Sequence, residues 1–282
     1  RVGDGHNLVA GGYGADVIET GVGLDGILGD NGSFEYTTDG SGNAILTLAE
    51  TTDSTAATGG NDVIVSGGGT ADNLVLAGMG DDRVNQPAQS GSEPVPATST
   101  GTDTVFGDNG LITWDTAGRI TGFESTQLDL GGNDAIAVGD GENTVVGGYG
   151  NDQIVTGGGS DLVLGDNGEV SYTPGTEQLA HVVSTDAGNG TGGNDEIVSG
   201  EGDNVVVAGV GTDSVSAGSG SDLVIGDNGR IDWTAAGEYS QFQTSDLGLG
   251  GNDDLRVGDG DNLVAGGYGA YTLSEHKVGF LR

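Results

Sequence analysis

The chain has 282 residues, of which 60 are glycine, 43 are Asp or Glu and only 7 are Lys or Arg, giving a formal charge of -36 with no cysteine. Phosphate recognition needs Lys and Arg, so nucleic acid is excluded as a partner; a chain without cysteine has neither a disulfide framework nor a thiolate metal site; and no apolar run is long enough for membrane insertion. Aromatics are only 5%, so such a chain repels itself with little to bury, and a hard divalent cation with oxygen ligands is the natural counterweight.

Residues 1–58 open in mid-repeat at Arg1, which reads as a window on a longer chain without a signal peptide. They carry GGYGAD (11–16), then GDNG (29–32) and an alternating stretch with Tyr36 that predicts a β-hairpin. Residues 59–130 run from GGND (59–62) to GDNG (107–110) and into LITW–DTAGR–ITGF (111–123), a second hairpin with Trp114. Within them the insert QPAQSGSEPVPA (86–97), with three of the four prolines, reads as an exposed loop. Residues 131–191 hold four consecutive nonapeptides: GGNDAIA with its flank (131–137), VGDGENTVV (138–146), GGYGNDQIV (147–155) and TGGGSDLVL (156–164). GDNG (165–168) and a Tyr172 hairpin follow. Residues 192–249 repeat the Trp-bearing kind, with GGND (192–195), GDNG (226–229) and RIDW–TAAGE–YSQF (230–242) around Trp233. Residues 250–270 restart the Tyr-bearing kind: 256–270 repeat 1–15 with Asp261 in place of His6. Residues 271–282 carry no repeat and the only lysine, and read as a terminus, a cap or an added tail.

Beneath this larger unit lies one nine-residue period, GGxGxDxUx with U apolar, matched at every position by GGYGNDQIV. A fixed short period of Gly, Asp and one apolar residue predicts an all-β parallel β-roll, a β-solenoid with two strands per rung, here interrupted by inserted β-hairpins. Glycines permit the tight turn and free carbonyls to face an ion, while Asp adds carboxylate oxygens. The middle residue of each strand points inward: Ile136, Val145, Ile154 and Val163 in one unit, Ile197, Val206, Val215 and Val224 in another. β-Branched residues suit such a narrow core.

Successive turns fall on opposite edges, so turns 18 residues apart stack as neighbours. Calcium ligands are therefore expected as stacked pairs. Asp134 pairs with Asp152, Asp195 with Asp213 and Asp62 with Asp82 on one edge, which Asp16 and Asp253 continue. On the other edge Asn143 pairs with Asp161, Asn204 with Asp222, Asn73 with Asp103 and Asn7 with Asp25, and Asn262 continues the series. An Asn ligand lowers the charge of its site, so the second edge is expected to bind more weakly. An isolated Asx residue would only cap its own turn; a register this long argues for metal. For Asp30, Asp108, Asp166 and Asp227 of the GDNG motifs, extra ligands and ordinary Asn-Gly turns are both open.

Strands two and four of each unit are apolar on both faces, as in TVV (144–146), LVL (162–164), VVV (205–207) and LVI (223–225). The sheet they form needs an outer cover, since solvated sheets alternate. The hairpins are expected to supply it, laying Tyr36, Trp114, Tyr172 and Trp233 on that sheet; the alternative is a cover from another chain.

The nonapeptides resemble the repeats-in-toxin (RTX, haemolysin-type) calcium-binding family. That resemblance implies multiple Ca2+ ions held by turn Asp residues and loop carbonyls, export from a bacterium, and folding outside the cell. The GDNG-hairpin module between every four nonapeptides departs from the short rolls of toxins and proteases. Regular alternation of two unit kinds resembles instead the tandem arrays of giant surface proteins and adhesins. The expected function is a calcium-dependent structural segment (stalk, spacer or lattice element) of a large secreted or surface-attached bacterial protein. Neighbouring units or copies are its possible partners, and no catalytic site is formed. The alternative is the calcium-triggered secretion and folding module of an exported enzyme or toxin.

Overall fold

Triplets with a β-branched middle residue between glycine turns leave the backbone one regular option, a short strand. The computed structural model describes residues 1–86, 99–186, 191–246 and 248–274, and among them no helix forms. The nonapeptide strands assemble into two parallel nine-stranded sheets. One runs from Asn7–Ala10 to Leu263–Ala265, the other from Val17–Glu19 to Thr272–Ser274. The register places like on like: Ile136 opposite Ile154, Ile154 opposite Ile197 and Ile197 opposite Val215 in the second sheet. Val145, Val163, Val206 and Val224 follow one another in the first. All eight residues expected to point inward are completely buried in one continuous core between the two sheets.

The inserted segments are hairpins at the four places the alternation marks. They are Gly32–Thr38 with Ala44–Thr51, Gly110–Trp114 with Ile120–Ser125, Gly168–Tyr172 with Leu179–Ser184, and Gly229–Trp233 with Tyr239–Thr244. Each also pairs antiparallel with the next, so the four make one eight-stranded sheet in chain order. The arithmetic of strand spacing explains why this works. A full unit adds two strands to each roll sheet and two to the hairpin sheet. With neighbouring strands ~4.7–4.9 Å apart in any sheet, all three advance together along the axis.

The hairpin sheet lies on the outer face of the first roll sheet and closes a second core. Leu28, Leu76, Val146, Leu164, Val207 and Ile225 of the roll meet Ala49, Ile112, Phe123, Val170, Val182 and Ile231 of the hairpins. The cover is thus intramolecular. Phe106 and Phe123 meet edge to face at 5.6 Å across this boundary, and Phe123 lies 6.3 Å from Tyr172. Trp114, Tyr172 and Trp233 pack against this core half-buried, Trp233 beside Tyr239 at 6.2 Å. Tyr36 does not cover the sheet: it is 46% exposed, because its hairpin ends the third sheet and has a neighbour on one side only. Phe34, two residues earlier on the same strand, packs there instead.

The repeat pattern stops at Ala270, yet the roll does not: Thr272–Ser274 adds a strand beside Asp254–Arg256, with Leu273 opposite Leu255 and against the core. The glycine turn is still there, with Gly267 at φ +88° and Gly269 at φ +103°; only the turn aspartate is missing, its place taken by Tyr271. Residues 87–97 of the Pro-rich insert and the tail after Ser274 lie outside the described residues.

Candidate metal centre

The turns stack because each strand is held in register by its neighbours, and stacking brings the turn side chains into files. Along one edge Asp16, Asp62, Asp82, Asp134, Asp152, Asp195, Asp213 and Asp253 follow one another. In each step a carboxylate Oδ1 accepts the backbone N–H of the preceding Asp, at distances such as 2.7 Å (Asp16 to Asp62), 2.8 Å (Asp134 to Asp152) and 3.0 Å (Asp213 to Asp253). Glycine is required between the files. Gly150 has φ +115°, and a Cβ there would stand 2.1 Å from the Gly132 carbonyl oxygen of the neighbouring turn.

The other oxygen of each carboxylate is the informative atom. The Oδ2 atoms of all eight aspartates in this file are buried and accept no hydrogen bond. A buried carboxylate oxygen without a partner costs several kcal/mol (on the order of the desolvation penalty of an ion), and here the cost recurs at every turn. Burial accordingly pushes Asp213 up to about 9, Asp253 to about 7 and Asp62 to about 6, with the amide bonds pulling down and neighbouring carboxylates pushing up. Asp134, Asp152 and Asp195 are raised well above the ordinary value, first by burial, with further push from the Asp108 carboxylate on Asp134, Asp81 on Asp152 and Asp152 on Asp195. Among the described residues no three acidic or histidine side chains converge into one metal cluster. A cation in this stack would therefore draw on paired carboxylates and turn carbonyls together. That oxygen-only donor set suits calcium, which takes six to eight such ligands.

The second edge alternates strictly: Asn7, Asp25, Asn73, Asp103, Asn143, Asp161, Asn204, Asp222 and Asn262. The same ladder runs through it, backbone N–H to side-chain Oδ1, from Asn7 to Asp25 at 3.0 Å through Asp103 to Asn143 at 3.0 Å to Asp222 to Asn262 at 2.9 Å. The Oδ2 atoms of Asp25, Asp103, Asp161 and Asp222 are again buried and unpartnered. Burial raises Asp161 to about 6 and lifts Asp103 and Asp222 as well. The structure thus brings every residue anticipated from the nine-residue period into two continuous files.

The GDNG aspartates take a part that neither expected role describes. Asp108 accepts the Gly132 N–H at 3.0 Å on Oδ1 and the Tyr149 N–H at 2.5 Å on Oδ2, bridging two consecutive turns of the aspartate edge. Asp166 bridges Gly193 and Val210, and Asp227 bridges Gly251 and Tyr268, in the same way. Asp30 accepts the Met79 N–H at 2.7 Å, leaving Oδ1 unpartnered. The root of each hairpin is thereby fastened to the turns beside it. Burial first, then the Asp152 carboxylate, raises Asp108 far above the ordinary range. Asp53 and Asp186, which sequence reading passed over, hold the neighbouring Asn31 and Asn167 through both carboxylate oxygens, each bond 2.9 Å. Their signal was faint: each is a lone Asp at the end of a Tyr-bearing hairpin. A third, exposed file runs one residue before the aspartates, through Asp81, Asn133, Asn151, Asn194 and Thr212, with N–H to side-chain steps of 2.7–2.9 Å.

The family model described as the RTX calcium-binding nonapeptide repeat matches this chain in four copies, over residues 2–33, 130–169 and 189–230. No curated protein matches it. The matched segments hold Asn7, Asp16 and Asp25, then Asp134 to Asp161 and Asp195 to Asp222 of the two files, each with the GDNG motif that follows; Asp62, Asn73, Asp82, Asp103, Asp253 and Asn262 lie outside them. The repeats of this family bind calcium, several ions to an array.

Proposed function

We propose that this array of RTX calcium-binding nonapeptide repeats is a calcium-rigidified structural segment, a stalk or spacer, of a large secreted or surface-attached bacterial protein. The observation that carries the reading is the file of buried, unpartnered Oδ2 atoms that recurs turn after turn. Such a stack is unstable while its charges stand alone and becomes a rigid rod when a divalent cation joins neighbouring turns, so that metal binding is folding free energy. Asp16, Asp62, Asp82, Asp134, Asp152, Asp195, Asp213 and Asp253 would supply the carboxylates of one edge, and Asp25, Asp103, Asp161 and Asp222 those of the other. Turn carbonyls would complete each shell. Folding would then wait for the millimolar calcium outside the cell.

The third sheet supports a stalk rather than a bare secretion signal. It covers the apolar outer face of the first roll sheet from within the chain, and its matched rise allows the three-sheet section to repeat without limit. The parent reading frame tests the choice. Many alternating Tyr-bearing and Trp-bearing units support the stalk; one short array beside a hydrolase or toxin domain supports the secretion module. No helix of the described residues is long and apolar enough to cross a membrane.

A further inference from the structure

The mixed edge raises a question that the aspartate edge does not: what the asparagines do. A ligand would turn its carbonyl oxygen to the ion, and here that oxygen points along the stack to accept the backbone N–H of the neighbouring turn. The free end of the side chain is the amide nitrogen. In Asn143 it donates to the carbonyls of Gly139 at 2.9 Å and Gly141 at 3.3 Å, and to Asp161 Oδ1 at 3.0 Å. In Asn204 the partners are Gly200 and Gly202, each at 3.0 Å, and Asp222 Oδ1 at 3.1 Å. Asn7 repeats the set on Gly3, Gly5 and Asp25. The acceptors are the turn's own carbonyls four and two residues back, plus the carboxylate of the next turn.

The aspartates of the same edge put an acceptor where the asparagines put this donor. The Oδ2 atoms of Asp25, Asp103, Asp161 and Asp222 are buried and find no hydrogen. Oxygen facing oxygen needs a cation between; a carboxamide N–H facing the same oxygens needs none. We infer that the carboxamide of each Asn turn stands in for the ion that an Asp turn holds. Calcium is then taken up at every gap of the aspartate edge but only at alternate gaps of the mixed edge. The distances agree with this division: the nitrogen keeps its acceptors at hydrogen-bond length, whereas calcium draws oxygens in to about 2.3–2.6 Å. The substitution also removes one negative charge from every second rung of that edge, so half of its turns assemble without metal. Regular alternation makes the mixed edge a partly preassembled seam.

This inference rests on the calcium reading above, and its test separates the two. Bound calcium is counted by equilibrium dialysis at saturating millimolar calcium for the parent chain, Asn143→Asp, Asn204→Asp and the double variant. One additional ion per substitution is expected. An unchanged count with tighter binding would mean that asparagine is itself a weak ligand, and would overturn the inference. Should the variants fail to fold, the parent answers alone: in the calcium-loaded protein the side-chain amide protons of Asn143 and Asn204 should exchange slowly with solvent. Rapid exchange would overturn the assignment. A parent that binds no calcium at all would defeat the functional reading and this inference with it, whereas a parent that binds calcium with an unchanged count in the variants defeats the inference alone.

Discussion

Phe123→Ala probes the joint between the hairpin sheet and the roll. Phe123 is 2% exposed and belongs to the core shared by the two layers. Its ring meets Phe106 of the roll at 5.6 Å and 89°, and Tyr172 of the next hairpin at 6.3 Å. Truncating a buried Phe to Ala costs about 3–5 kcal/mol in transfer and cavity terms, and the lost edge-to-face pair adds about 0.5–1.5 kcal/mol. For a chain of this size the loss corresponds to a fall in melting temperature on the order of 10 °C. Phe123 sits in the core between hairpins and roll, which is separate from the two files of turn carboxylates, so the calcium-loaded variant should keep the full complement of ions. The assay is thermal unfolding in saturating calcium followed by circular dichroism, with the ion count taken on the same sample. A melting temperature within 2 °C of the parent would mean that the hairpins do not press on the roll in solution. A drop in bound calcium would mean that the two cores are not separable as described.

Trp233→Ala removes a ring that is only half-buried on the same core, so a smaller loss of about 1–2 kcal/mol is expected, again with calcium binding spared; a loss as large as that of Phe123→Ala would contradict the difference in burial. Gly159→Ala places a Cβ 1.8 Å from the Gly141 carbonyl oxygen at φ +136°, which should cost about 2–5 kcal/mol. Gly158→Ala, whose Cβ would come no nearer than 3.5 Å to Asp140 Oδ1, should be nearly neutral in the same thermal assay; equal effects at the two positions would refute the stacked-turn geometry. The calcium-free chain should respond to pH in the sense opposite to an ordinary salt-bridged protein. Asp213, Asp253 and Asp62 titrate at about 9, 7 and 6 in the fold, against 3.8 ordinarily. Between those values the fold holds more protons than the unfolded chain, so its stability falls as pH rises from about 4 to about 9. Circular dichroism in the absence of calcium should show more β-structure at pH 5 than at pH 7.5, and the reverse order would contradict the burial of these acids.

Much of this architecture is legible in the residues themselves. The nine-residue period places Ile136 through Val224 inward because a strand of three has only one side chain facing the core, and the register then brings the Asp and Asn turns into files. The doubly apolar LVL and LVI strands announce a covered face, and the hairpins cover it. What the sequence conceals is anything that depends on a neighbour. That each hairpin pairs with the next follows from equal strand spacing in three sheets, which no single segment displays. Tyr36 occupies the same place in its motif as Tyr172 but is exposed, because it lies at the end of the sheet. The Asp of GDNG looks like half of an Asn-Gly turn until the turns on either side are seen donating to it. The asparagines look like weaker aspartates because composition records the residue and not which end of the amide faces the turn.

If cations hold the files of unpartnered carboxylates together, the fold must depend on them. Far-ultraviolet circular dichroism of the chain at neutral pH, first in EGTA and then through a calcium titration to millimolar concentration, tests it most directly. A largely unfolded spectrum is expected in chelator, with a cooperative rise of β-signal as calcium is added. A β-spectrum already complete in EGTA and unmoved by calcium would contradict it.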